Sequence, residues 1–404
     1  MEFKGIFQKL VIVILIIAVL WGAFLVVQNI QNQYQSGSTP SVQVSTVTPT
    51  PTSTEMPKIN LDLTGITVPE CEDCFNIDAI AFVIQQMGGE LNIQKYSYDS
   101  QEGKDLIQKY NITKVPTMLI SGEISKMPEL EDLLLKAGKN FDGKWLLVDI
   151  APPYMDLLNN KEIVGRVKIS TVIDSSCEEC GKASIDFSPY MIYNVTVLGQ
   201  FLNEVWGVAI TEEKIIDSNG TEGKDLIEKY GIQRLPAIIV SKDIAIYGEN
   251  LTSELEKMGT LENDGNYVLR GINPPYRDLK TGEIKGLVSA IYIKGGERCP
   301  ECFNTTGYVE FISSNGIYTD SAYYYDFDSK PGMNITNMYN LSWAPTFLLS
   351  PEIKEYPVFM QNYRKIGFFA DDGWFVFTNI GLLPDGAKYF DIRANATAEI
   401  TLQQ

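Results

Sequence analysis

Histidine is absent from all 404 residues. That excludes Ser-His and Cys-His nucleophile pairs, imidazole proton shuttles and most catalytic zinc sites. Any chemistry must come from cysteine, carboxylate, lysine or tyrosine. A basic face is missing as well: 33 Lys and Arg stand against 51 Asp and Glu, a formal net charge of -18. Nothing is left over to neutralise phosphates, so neither nucleic acid nor an anionic lipid surface is an electrostatic partner. Cysteine is scarce. Its six copies all fall in three Cys-x-x-Cys pairs, so none remains to link one domain to another. A zinc site would need two pairs to meet in space. They lie 106 and 122 residues apart, and neither a metal nor a cofactor is expected.

What is present begins with an apolar run, Leu10 to Val27, interrupted only by Gly22. Its eighteen residues would cover about 27 Å as a helix, close to the hydrocarbon thickness of a bilayer. Lys4 and Lys9 precede it, which orients the N-terminus to the cytoplasm. The run lacks the small-x-small end of a cleaved leader. Residues 1–30 therefore read as a transmembrane anchor, with everything beyond them outside the cytoplasm. Residues 31–58 are rich in Gln, Ser, Thr and Pro and read as an extended tether. Eight Asn-x-Ser/Thr sequons follow, at Asn111, Asn194, Asn219, Asn250, Asn304, Asn334, Asn340 and Asn395. They are compatible with N-glycosylation or with a composition rich in Asn and Thr.

Internal repetition organises the rest. Gly103-Lys-Asp-Leu-Ile-Gln-Lys-Tyr110 returns as Gly223-Lys-Asp-Leu-Ile-Glu-Lys-Tyr230, and Val115-Pro116-Thr117 as Leu235-Pro236-Ala237. Asp142-Gly-Lys-Trp145 returns as Asp264-Gly-Asn-Tyr267, and Pro152-Pro-Tyr154 as Pro274-Pro-Tyr276, all at offsets of 120 to 122 residues. A more diverged third copy holds Cys299-Pro-Glu-Cys302, Ala344-Pro345-Thr346 and Asp372-Gly-Trp-Phe375. The unit is domain-sized. Boundaries at 160 and 282 give units 59–160, 161–282 and 283–404, joined by rigid Pro-Pro-Tyr connectors. Each unit reads as a strand before the cysteines, a helix at or just after them, and a second strand. Leu91–Tyr96 and Val205–Ile210 are examples of that second strand. A short helix, a hydrophobic-Pro step and an apolar strand complete the unit, so the fold class is α/β.

This pattern resembles the thioredoxin fold superfamily, which includes protein disulfide isomerases, over nearly all of residues 59–404 and three times over. The resemblance implies a redox pair at a helix N-terminus and a cis-proline packed beside it. Pro116, Pro236 and Pro345 stand 45, 59 and 46 residues after the first cysteine of their pairs and take that role. Cys71, Cys177 and Cys299 would attack, helped by helix amides. Cys74, Cys180 and Cys302 would resolve the mixed disulfide. Departures from the family concern the surroundings of the pairs. Glu72-Asp73, Glu178-Glu179 and Pro300-Glu301 lie between the cysteines, and a nearby carboxylate raises a thiolate's pKa. The family's buried acid, six residues ahead of the first cysteine, is replaced by Gly65, Thr171 and Ile293. Pro300 and Arg298 mark the third pair as the most reactive.

Two readings of function stand at this point. One is a membrane-anchored thiol-disulfide oxidoreductase or isomerase acting on exported proteins, with an unknown redox partner. The other is a binding or scaffold protein whose thioredoxin-like domains carry structural disulfides.

Overall fold

The computed structural model describes residues 59–159, 162–187 and 190–401. The anchor and the tether expected over residues 1–58 lie outside the described residues. No helix among the described residues is long and apolar enough to cross a membrane.

The first sheet starts with β1 (Ile59–Thr67), whose Leu61 and Leu63 alternate with outward-facing residues before both faces become buried at Gly65 and Ile66. That pattern suits a central strand. Asn76 then caps α1 (Ile77–Gln86), accepting from the amides of Asp78 and Ala79 at 2.9 and 3.1 Å. Ile77, Ala81 and Ile84, at helical spacing, turn one face of α1 to the core. Next come β2 (Gly89–Ser97), α2 (Gln101–Tyr110), β3 (Lys114–Val115), β4 (Thr117–Gly122) and α3 (Pro128–Ala137). The hairpin of β5 (Gly138–Phe141) and β6 (Lys144–Leu147) closes the sheet. Its order is β2-β1-β4-β6-β5, with β2 parallel and β4 antiparallel to β1.

The same five-strand order occurs twice more. One sheet runs Ile210–Asp217, Val167–Ile173, Ala237–Val240, Tyr267–Leu269, Gly259–Leu261. The other runs Thr319–Asp326, Val288–Lys294, Thr346–Leu349, Phe375–Phe377, Gly367–Phe369. Tyr323, Tyr324 and Tyr325 lie in the edge strand of this third sheet, with Tyr323 and Tyr324 about half exposed rather than in the core.

Three local expectations need correction. Helices begin later than the cysteines: α1 three residues after Cys74, and Thr306–Ser314 four residues after Cys302. In the second repeat no helix follows the pair directly. A short 3-10 turn, Glu179–Lys182, leads into a hairpin, Ser184–Phe187 with Tyr190–Tyr193, before the helix Leu198–Trp206. This insertion explains the longer spacing from Cys177 to Pro236. It also shifts the next strand: Val205 and Trp206 end the helix, Gly207 turns at φ 66°, and the strand starts at Ile210.

The Pro-Pro-Tyr segments are not connectors. β7 (Tyr154–Asp156) returns to pair with β3, placing Met155 opposite Val115, and β8 (Glu162–Val164) pairs with β7. Its two strands lie on either side of position 160 in the chain. The second repeat matches it with Arg234–Leu235, Tyr276–Asp278 and Ile284–Lys285, and the third with Trp343–Ala344, Lys388–Asp391 and Ala396–Glu399. Each repeat thus carries a small three-stranded sheet whose first strand ends at a cis X-Pro bond, at Pro116, Pro236 and Pro345.

The repeated landmarks touch one another. A Cβ on Gly103, Gly223 or Gly332 would lie 2.0, 2.1 or 1.9 Å from the carbonyl oxygen of Ser97, Asp217 or Asp326. Only glycine lets the helix start so close to the strand. At the far end of those helices Tyr230 donates to Asp264 Oδ2 at 2.9 Å and Tyr339 to Asp372 Oδ2 at 2.7 Å. Those aspartates are the first residues of the Asp-Gly-aromatic landmarks. In the first repeat Tyr110 meets the Phe141 ring instead, 5.4 Å between centroids.

All described residues belong to one compact unit. Two junctions inside it share a construction. The Gly165 carbonyl accepts from the Tyr247 hydroxyl at 2.6 Å, and the Gly286 carbonyl from the Tyr356 hydroxyl at 2.9 Å. Both glycines have positive φ, and a Cβ on either would strike Pro152 or Pro274 at 2.4 or 2.1 Å.

Gly223→Ala is expected to destabilise the protein by about 1–3 kcal/mol, as overpacking against backbone does. Gly181→Ala, with nothing within 4 Å of the new methyl, should stay within about 0.5 kcal/mol. Denaturant unfolding of both variants checks the contrast.

Candidate functional site

All six cysteines are paired within their own Cys-x-x-Cys, with Cα–Cα separations of 5.3, 5.4 and 5.3 Å. Each pair follows the central strand of its sheet. Turns rather than helix N-termini hold the first and third pairs, so the helix amides expected to support the attacking cysteine lie further along the chain. Other groups surround the sulfurs instead, and they differ among the three sites.

At the first pair, both cysteines are buried in a cluster with Val68, Val115 and Met155. Asp73 Oδ1 lies 3.4 Å from Cys71 Sγ. Arg166, 93 residues downstream, closes over both. Its Nη2 donates to Asp73 Oδ1 at 2.6 Å and lies 3.5 Å from Cys71 Sγ, while its Nε donates to Asp73 Oδ2 at 2.9 Å. The Arg166 hydrogen bonds hold the Asp73 carboxyl below its ordinary range, outweighing its partial burial. The Tyr98 hydroxyl donates to Glu70 at 2.6 Å and is pushed up to about 12 by that carboxylate.

The second pair has a buried acid after all, three residues ahead of Cys177 rather than six. Asp174 is 9% exposed. Its Oδ2 accepts from Arg277 Nε at 2.6 Å, and its Oδ1 from the Ser176 hydroxyl and amide at 2.6 and 2.9 Å. Burial pushes the Asp174 carboxyl up, but the hydrogen bonds from Ser176 and Arg277 outweigh it and hold the group below the ordinary carboxylate range. Arg277 sits opposite Leu235 in the small sheet, where the first repeat has Met155 opposite Val115. The Cys180 amide donates to Cys177 Sγ at 3.2 Å, an arrangement that favours a thiolate there once the bond is reduced. Burial and Asp320, and then the carboxylates of Glu179 and Glu178, raise the pKa of Tyr318 in the third repeat.

The third pair packs on its proline step. Cys302 Sγ is 3.8 Å from the Ala344 carbonyl oxygen, and the Tyr308 hydroxyl donates to the Pro345 carbonyl at 2.8 Å. A Cβ on Gly295 would meet Cys302 Cβ at 2.7 Å, so the loop rests directly on bare backbone. Cys299 is buried at 2% exposure, whereas Cys302 is partly exposed; the other five cysteines are all buried. Arg298 does not serve Cys299. It donates to Asn395 Oδ1 at 3.0 Å and covers the Phe327 ring at 5.8 Å. Pro300 lies in the turn, not at a helix start. No group of His, Cys, Asp and Glu among the described residues could hold a metal ion. All eight sequon asparagines are exposed, Asn304 beside the third pair among them.

Pro116, Pro236 and Pro345 therefore stand at cis bonds at the base of each repeat's core, and Ala344–Pro345 is in contact with its disulfide. Sequence reasoning missed Arg166, Asp174, Arg277 and Tyr308. Only Asp174 had a local signal, being an acid just outside the pair.

A Cys-x-x-Cys disulfide after the central strand, a parallel neighbour on one side and a cis-proline strand on the other define a thioredoxin-like unit, and the chain carries three. No protein-family model and no curated protein matches the chain. Among solved structures, ERdj5 form II matches 76% of this chain and 40% of its own, at 11% identity and a TM-score of 0.14. A protein disulfide oxidoreductase from Aeropyrum pernix K1 matches 46% of this chain and 77% of its own, at 17% identity and 0.13. Human ERp44 form I matches 81% and 88%, at 10% identity and 0.13. The chain spans less than half the length of the ERdj5 structure. Likenesses at these TM-scores add nothing to the fold, which rests on strand order and on the placement of cysteines and prolines.

The Asp174–Arg277 pair stabilises the protein fully above about pH 4, and its contribution is lost as pH falls through the lowered Asp174 value. Arg277→Gln leaves a buried carboxylate unpaired and should cost about 2–3 kcal/mol at pH 7. That deficit should shrink below about pH 4 as the carboxyl protonates. Denaturant titrations of parent and variant at pH 7 and pH 3.5 measure both quantities.

Proposed function

We propose that the protein exchanges thiols and disulfides with exported proteins, from a membrane anchor at residues 1–30, and that the third pair is its contact point. The observation that carries this is the partly exposed Cys302 of a disulfide seated on the cis Ala344–Pro345 step. Starting from the oxidised pair, a substrate thiolate attacks one sulfur of Cys299–Cys302 and displaces the other as thiolate. The second substrate thiolate breaks the mixed disulfide. The substrate leaves with a new S–S bond, and the pair keeps the two electrons until a redox partner removes them. The reverse sequence reduces or reshuffles a substrate disulfide.

The burial of the first two pairs favours a second reading for them, as disulfides of a scaffold. Resistance to reduction then follows from inaccessibility.

Limiting dithiothreitol followed by differential alkylation and peptide mass spectrometry should show Cys299 and Cys302 reduced first. Single replacement of Cys74, Cys180 or Cys302, and in parallel of Cys71, Cys177 or Cys299, should trap covalent partners through the third unit. Potentials below about -300 mV at all three pairs, with no trapped partner and no insulin reduction, would sink the exchange reading and leave the scaffold.

A further inference from the structure

We propose that Arg166 sets the reactivity of Cys71, so that the second repeat controls the redox behaviour of the first repeat's disulfide. The proposal rests on the exchange reading, extended from the third pair to the buried first one, but its test does not use a protein substrate.

The groups facing Cys71 are mostly anionic. Glu70, Glu72 and Asp73 flank it in the chain, and Asp73 Oδ1 is 3.4 Å from its sulfur. Across the junction, Tyr247 and Asp243 belong to the second repeat, and the charge of Asp73 reaches the Tyr247 hydroxyl. Tyr98 is occupied by Glu70. Arg166 is the cation within hydrogen-bond reach, with Nη2 3.5 Å from Cys71 Sγ. Without it, a thiolate at Cys71 would form beside an unpaired carboxylate. With it, the same nitrogen that neutralises Asp73 can donate to the sulfur as the charge develops.

Position as well as charge comes from the second repeat. Arg166 follows Gly165 directly, and the Gly165 carbonyl is held by Tyr247. Gly165 packs so closely on Pro152 that no Cβ fits. At the second junction the equivalent glycine, Gly286, is followed by Leu287, so this device belongs to the first pair alone. The second pair's arginine, Arg277, bonds Asp174 outside the Cys-x-x-Cys loop.

On reduction, a dithiol such as dithiothreitol gives up two electrons and two protons, closes its own S–S bond, and leaves Cys71 and Cys74 as thiols. The Cys71 proton is then the one that Arg166 helps to release. The full chain in detergent micelles, carrying Cys74→Ala, has Cys71 as its one free thiol while the other two pairs stay oxidised. Its alkylation rate with iodoacetamide, followed across pH by peptide mass spectrometry, reports the Cys71 thiolate. Arg166→Gln should move the midpoint up by about one pH unit, which is about tenfold slower alkylation on the acid side. Arg166→Lys should recover part of the shift. Asp73→Asn should move the midpoint down, because it removes the carboxylate and leaves the guanidinium. Both Arg166→Gln and Asp73→Asn break the same salt bridge, so a merely structural role would move the midpoint the same way in both, or in neither. Either of those outcomes overturns the proposal. Loss of insulin reduction with the opposed shifts intact would overturn the exchange reading and leave this one standing.

Discussion

Two tyrosine hydroxyls, each donating within its own repeat, fix the carbonyl of a glycine that packs, with no room for a side chain, on a proline of the repeat before. Tyr247 reaches Gly165 and Tyr356 reaches Gly286. The same hydroxyls accept from backbone amides of their own repeats, Ala209 at 2.9 Å and Tyr318 at 3.1 Å. Each junction is therefore a three-point knot of strand, loop and preceding proline. Because the knot forms beside the Cys-x-x-Cys loop of the repeat before it, the surroundings of the first two disulfides are built partly by the next repeat. The third repeat's disulfide keeps one sulfur partly open.

Local patterns in the sequence carried much of the architecture. The strands before the cysteines and the short helices of the Gly-Lys-Asp-Leu-Ile repeat were visible because each has a local signature, whereas Asp-Gly-aromatic was visible only as a repeated landmark and not as the hairpin it forms. The three proline steps were visible by resemblance. The inserted hairpin Ser184–Tyr193 was not, since its short strands lack a strong alternation and a helix is the usual sequel to such a pair. The small sheets were hidden for another reason. Pro-Pro-Tyr looks like a spacer until its strand finds a partner some forty residues upstream. The chemically decisive contacts were the least legible. Arg166 and Asp73 lie 93 residues apart, and Arg277 and Asp174 103 apart, so no periodicity reports them.

Net charge gave a misleading impression of the sites. A chain with a formal charge of -18 and carboxylates inside all three of its loops suggests thiolates starved of positive charge. At the first pair a single arginine answers the carboxylate. At the second, an amide meets the sulfur and a buried ion pair lies beside it. At the third, Glu301 is exposed and the Cys302 sulfur meets a carbonyl. Three copies of one motif have thus acquired three electrostatic settings through residues outside the motif.

The inserted hairpin carries a consequence for descent. Its Tyr193 hydroxyl donates to the Ser313 carbonyl of the third repeat at 3.1 Å, and Ser184 and Met191 pack so closely on Gly316 that a Cβ there would lie 3.0 to 3.1 Å from them. A segment gained by one copy has become mortar for its neighbour. The copies are no longer interchangeable parts: shuffling their order would leave a hairpin without a wall to lean on and a wall without its hairpin.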